Sequence, residues 1–263
     1  MRNGRDAMRN NIGVLAAALI LATGASGQPS QREVRIGAAA NLSDVFQTLG
    51  PRFEAATGIH PVFSFASTAQ LAFQIENGAP YDVFMAADVD HVEQLEKKGL
   101  LLEDSRAIYA TGILALWIPP GRDVKLNTLS DLVRPGFRVI ALAKPELAPY
   151  GQAARATLQQ LGIWDQVEAR VVYADSISMA KQYGASGNAD AVFTAYSLVM
   201  QEKGKVVEVD DKLHPPIDQA LGIIAASKNI DAARQFTDFL LTGKGRDVMA
   251  SSGYKVPARG VRR

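Results

Sequence analysis

Four short stretches of this chain place small and polar residues where an apolar run passes into a helical pattern. They are residues 38–44 (AAANLSD), 64–70 (SFASTAQ), 145–151 (PELAPYG) and 174–180 (ADSISMA). A helix start leaves backbone N–H groups without intrahelical acceptors, and the positive end of the helix dipole lies behind them. Such a start attracts anions. No Lys or Arg falls within the four turns, apart from Lys144 just ahead of the third. Two starts in each half of the chain therefore predict a cleft that holds an anion with neutral donors alone.

Each start offers its own donors. The Asn41 amide can cap its helix or donate to a ligand, and Asp44 three residues on completes an ordinary capping arrangement. Thr68 follows Ser67, so that either hydroxyl can cap while the other faces the cleft. At Pro149-Tyr150-Gly151, proline suits the first helical position and glycine permits close approach. The expected donor there is the backbone N–H of Tyr150 rather than its phenol. Ile177 can donate only through its backbone N–H; its side chain otherwise staples the helix start.

Catalytic and metal arrangements are absent from the sequence. His60, His91 and His214 lie in unrelated contexts without the H-x-x-x-H spacing of a metal site. Asp175-Ser176 and Ser43-Asp44 read as helix starts, not nucleophile elbows. There is no phosphate-binding G-x-x-x-x-G-K-S/T loop, and without cysteine there is neither a disulfide framework nor a thiolate metal site. Tyr150, Tyr173, Tyr183 and Tyr196 are not adjacent, as ferric-site tyrosines typically are. Residues 208–211 (EVDD) read as a solvated turn.

Residues 1–27 read as a secretory leader. Arg2, Arg5 and Arg9 precede an apolar core at 12–21, and Ala25-Ser26-Gly27 forms a small-residue cleavage site. The core is short for a membrane span, and with no cysteine at the cleavage site a lipid anchor is not expected. The 236 residues beyond it carry a net charge of −1. They have neither a basic stripe for nucleic acid nor a polybasic membrane patch.

In that mature portion strands alternate with helices. Strands are expected at 34–38, 61–65, 82–86, 113–118, 138–142, 168–173, 190–194 and 220–226. Helices are expected from Leu42, with a kink or restart at Gly50-Pro51, and at 69–76, 89–98, 150–161, 178–185, 196–203, 230–241 and 246–251. The pattern is that of an α/β protein with mostly parallel sheets flanked by helices. Turn-rich crossings near 109–112 and 213–219 divide it into a first lobe of residues 28–110 plus 218–263 and a second lobe of residues 113–214. A ligand would lie between the lobes, at the C-terminal strand ends.

Residues 34–88 and 138–200 resemble the periplasmic molybdate-binding proteins of bacterial ABC importers. The resemblance is carried by IGAAANLSD, SFASTAQLAFQIENGAPYDVFMAADVD, KPELAPYGQAARATLQQLG and ADAVFTAYS, and continues through LLTGKGRDVMASSGY. It covers nearly all of the mature chain. It implies a two-lobed class II periplasmic binding fold, with two crossovers forming a hinge, that closes on tetrahedral molybdate or tungstate. By position, the family's side-chain donors fall on Asn41 and Thr68, and its backbone donors on Tyr150 and Ile177. A tyrosine that donates in some members falls on Thr194, which is shorter; Asn41 likewise replaces a commoner serine.

The resemblance further implies a monomeric receptor in the periplasm, without cofactor or catalytic residues, that serves a membrane permease. A receptor for sulfate, phosphate or an organic anion is the alternative within the same fold. A hydrolase using Asp88 and Asp175 is the alternative outside it.

Overall fold

The computed structural model describes residues 32–122 and 124–257, with the backbone of residues 261–262. The expected leader, residues 1–27, lies outside them. The chain begins with β1 (Glu33–Ala39), makes a tight 3-10 turn at Ala40–Leu42 and continues as α1 (Ser43–Thr57). Next come β2 (His60–Ala66), α2 (Thr68–Glu76), β3 (Val83–Met85), α3 (Asp90–Lys97) and β4 (Ala107–Gly112).

A second sheet opens with β5 (Leu114–Ile118), β6 (Ile140–Ala143), α4 (Pro149–Gln160) and α5 (Trp164–Val167). It is completed by β7 (Val171–Ala174), α6 (Ile177–Ala185), β8 (Ala191–Ala195), α7 (Tyr196–Val199) and β9 (Lys205–Glu208). The chain returns through β10 (Ile217–Ile223) to α8 (Ile230–Thr242), α9 (Lys244–Ser251) and β11 (Val261–Arg262).

The first sheet has the order β11-β4-β10-β3-β1-β2 and the second β7-β6-β8-β5-β9. Both are mixed, which corrects the expectation of mostly parallel sheets. β1 pairs in parallel with β2 and β3, and β6 with β7 and β8, while β5 and β10 run antiparallel to their neighbours. The reason is directional. Strands that feed helices at the cleft point their C-terminal ends towards it. β5 and β10 each enter a sheet from the other one, and so run away from the cleft.

α1 does not restart at Gly50-Pro51, one of the two outcomes expected there. The helix runs through Pro51 and ends at Gly58, whose φ of +69° suits glycine. Val45, Phe46, Leu49 and Phe53 are buried on both sides of the proline. Phe46 and Phe53 meet Phe236 of α8 edge-on, with centroids 6.2 and 5.2 Å away. Packing on either side of the missing N–H holds the turn together.

Two main cores result. Ile36, Phe46, Phe53 and Phe236 centre the first, and Trp117, Phe137, Leu142 and Phe193 the second. Ala39, Ala40 and Ala87, at the strand ends of the first sheet, pack into the second core. The strand ends are thereby brought together across the cleft.

Candidate anion-binding site

The four helix starts converge on one small cavity. Asn41, Ser67, Thr68, Ala87, Tyr150 and Ile177 line it, with no charged side chain among its lining residues. Its volume is about 10 Å³, the room of roughly one water.

Local geometry explains each start. Ser67 occupies the N-cap of α2 in a capping-box arrangement, and Gln70 Oε1 accepts from its N–H at 3.3 Å. The reciprocal approach of the Ser67 hydroxyl does not reach hydrogen-bond geometry, and this buried Oγ has no partner. Thr68 Oγ1 accepts from the Ala87 N–H at 3.0 Å, tying α2 to the end of β3. Accepting leaves the hydroxyl proton of Thr68 free to donate.

α4 opens with Pro149 at its first position, and a Cβ on Gly151 would overlap the Ala143 carbonyl oxygen. Close approach of α4 to β6 therefore requires glycine. In α6 the Ser176 hydroxyl caps by accepting from the Met179 N–H at 3.2 Å. The N–H groups of Tyr150 and Ile177 are first-turn amides, which have no intrahelical acceptor.

Asn41 is neither a cap nor a free donor. α1 begins at Ser43 with no side-chain cap. Asn41 Nδ2 donates to Gln219 Oε1 and to Tyr254 Oη, both at 3.0 Å, while its Oδ1 is buried without a partner. Tyr254 Oη donates to the Asn41 carbonyl at 2.7 Å, Gln219 Nε2 to Tyr150 Oη at 2.9 Å, and Tyr109 Oη lies 2.8 Å from Gln219 Oε1. Burial, foremost, pushes the Tyr109, Tyr150 and Tyr254 phenols above their ordinary pKa, so all three stay protonated and neutral.

Thr194 is not brought to the cavity. It lies one residue from the C-terminal end of β8 opposite Ala115, fully buried and outside the cavity lining, and its hydroxyl has no partner. Asp88 and Asp175 also lie outside the lining. Asp88 Oδ2 is 2.7 Å from His91 Nδ1, and Asp175 Oδ1 is 2.6 Å from Lys144 Nζ. Among the described residues no group of three His, Cys, Asp or Glu side chains could hold a metal ion.

The sequence assigned the hydroxyl donor to Thr68, with Ser67 only as the neighbouring alternative, and did not point to Gln219, Tyr109 or Tyr254. The glutamine stands directly ahead of the apolar run at 220–226, outside the expected strand. It is fully buried there.

The lobes touch around the cavity. The Ala69 N–H donates to the Leu147 carbonyl at 3.2 Å, and Lys181 Nζ of α6 meets Asp44 Oδ2 of α1 at 3.3 Å. Among the described residues no helix is long and apolar enough to cross a membrane.

A family model described as bacterial extracellular solute-binding protein matches residues 34–255. The chain is 35% identical over 231 residues to a molybdate-binding protein of Azotobacter vinelandii, covering 84% of this chain and 89% of that one. It is 31% identical over 240 residues to one of Rhodobacter capsulatus, covering 91% and 94%. The solved periplasmic molybdate-binding protein of Azotobacter vinelandii superposes with a TM-score of 0.80 at 32% identity, covering 85% of this chain and 99% of that one. A sulfate-binding protein of Mycobacterium tuberculosis has the same fold, with a TM-score of 0.74 at 17% identity over 86% and 88% of the two chains.

Proposed function

The chain belongs to the bacterial extracellular solute-binding protein family, and on that footing we propose that it captures molybdate, or tungstate, for an ABC importer. It is a binding protein and not an enzyme, as are the relatives it matches. Proteins of this kind bind an anion and deliver it to a membrane permease. The observation that carries the reading is the convergence of four helix starts on one small cavity lined without charge.

A dianion accepts hydrogen bonds that are stronger than neutral pairs, and helix-start amides supply them without a fixed cation. Ser67 and Thr68 would add hydroxyl donors from the first lobe, and the Tyr150 and Ile177 N–H groups backbone donors from the second. Thr194 is not needed for this set. Two lobes joined by two passages of chain would close on the ligand as a hinge, shifting an open population to a closed one. Residues 1–27 would direct export to the periplasm, where the mature chain would act as a monomer without a cofactor.

Size discriminates among anions. Donors spaced for molybdate or tungstate, once the lobes part to widen the cavity, would stand too far from the smaller sulfate, because hydrogen bonds weaken steeply beyond about 3.2 Å. A thermal-shift panel of molybdate, tungstate, sulfate, phosphate, chromate and Fe(III) tests the reading. Molybdate and tungstate should raise the melting temperature and the others should not. Stabilisation by sulfate or phosphate equal to that by molybdate would overturn the specificity. No response to any oxyanion would overturn the receptor.

A further inference from the structure

The Asn41 amide presents the wrong atom to the cavity it lines. Its Nδ2 is spent on Gln219 and Tyr254, which leaves Oδ1 as the buried, unpartnered end. A carbonyl oxygen on that side repels an anion. Gln219, on β10, sets this direction, because its Oε1 accepts from Asn41 while its Nε2 donates to Tyr150 Oη.

The network has a second arrangement on the same heavy-atom positions, with both amides turned over so that nitrogen and oxygen exchange places. Gln219 Nε2 then donates one proton to Asn41 Oδ1 across 3.0 Å and the other to Tyr109 Oη across 2.8 Å. Tyr109 Oη donates to the Ala86 carbonyl, 2.9 Å away. Gln219 Oε1 accepts the proton of Tyr150 Oη across 2.9 Å. Tyr254 can turn its proton to Asn41 Oδ1, leaving the Asn41 carbonyl to Ser197 Oγ at 3.4 Å. Every amide atom of the pair then has a partner except Asn41 Nδ2, which faces the cavity as a donor.

We propose that Gln219 is a positioning residue for the ligand, and that anion binding selects the turned-over pair, in which Asn41 Nδ2 donates to the anion. The proposal rests on the receptor reading above. Tyr150 belongs to α4 of the second lobe, whereas Gln219 and Tyr109 stand on the two strands of the first sheet nearest the passages between lobes. Gln219 thus links Asn41 of the first lobe to Tyr150 of the second. Gly112 keeps its place open, since a Cβ there would overlap both Tyr150 Oη and Gln219 Nε2.

Side-chain amide NMR of the wild-type protein with sodium molybdate tests this, alongside calorimetry on the same sample. Without ligand, Asn41 Hδ2 protons should show contacts to the Tyr254 ring. At saturation these should vanish, and Gln219 Hε2 protons should show contacts to the Tyr109 ring. Gln219→Met, which removes the relay at similar volume, should weaken binding by about tenfold, the worth of one hydrogen bond. Heat of binding with unchanged contacts in the wild type overturns this proposal alone. No heat with molybdate overturns the receptor reading and this proposal with it.

Discussion

Lys181 of the second lobe reaches Asp44 of the first, Nζ to Oδ2 3.3 Å, and pairs at the same time with Glu202 at 2.8 Å. The lysine side chain is mostly buried and both carboxylates are half-exposed. A cation therefore stands on α6, whose first turn lines the cavity, but its charge is spent holding the lobes together.

Replacing this strut should loosen closure without touching the cavity. A partly exposed ion pair contributes at most about 1 kcal/mol. Lys181→Met should therefore weaken molybdate binding by about fivefold or less, and small-angle scattering should show a larger radius of gyration at subsaturating ligand. Unchanged affinity and scattering would mean that the pair does not contribute to closure.

The two neighbouring hydroxyls should separate by their effects on stability. Ser67 Oγ has no partner in the fold, whereas Thr68 Oγ1 satisfies the buried Ala87 N–H. Loss of a donor to a charged acceptor costs roughly 1.5–3 kcal/mol, about tenfold to a hundredfold in affinity. Ser67→Ala should lose that affinity with a nearly unchanged melting temperature. Thr68→Val should lose affinity and also melt earlier, because a buried N–H is left unpaired. Calorimetry and thermal melts on both variants check this.

Salt should matter little to the bound state. With no charged side chain lining the cavity, screening acts mainly on distant surface charges, beyond a Debye length of about 8 Å at physiological ionic strength. A titration of molybdate affinity against NaCl should be shallow. A steep fall would point to exposed Lys or Arg contacts instead.

His91 gives the fold a pH-dependent contribution. The Asp88 hydrogen bond, foremost, raises its pKa above the ordinary 6.5 against the opposing effect of burial. Asp90 and Glu76 add favourable charge. A raised folded pKa stabilises fully below the unfolded value, and the stabilisation is lost as pH rises through the folded one. Asp88→Asn keeps an oxygen for the His91 N–H but removes the charge. The gap in melting temperature between wild type and variant should be largest near about pH 6 and closed by about pH 9. A gap independent of pH would show that the ion pair is not its source.

The local signals in the sequence carried far. The starts of α2, α4 and α6 were legible because they depend on residues within a turn of one another: Ser67 with Gln70, Pro149 with Gly151, Ser176 with Met179. The alternation of strands and helices was legible for the same reason. Less local elements were missed. β4 read as a crossing, and β9 was not read as a strand, its last residue Glu208 falling in the expected acidic turn, because their partners β10 and β5 are distant in sequence. The strand directions in the mixed sheets depended on where the chain passes between lobes, which no residue pattern records. Asn41 shows the limit most clearly. Its type marked it as cap or donor, but its amide is oriented by Gln219 and Tyr254, 178 and 213 residues away. An amide offers a donor at one end and an acceptor at the other, and only its tertiary partners decide which end remains for a ligand.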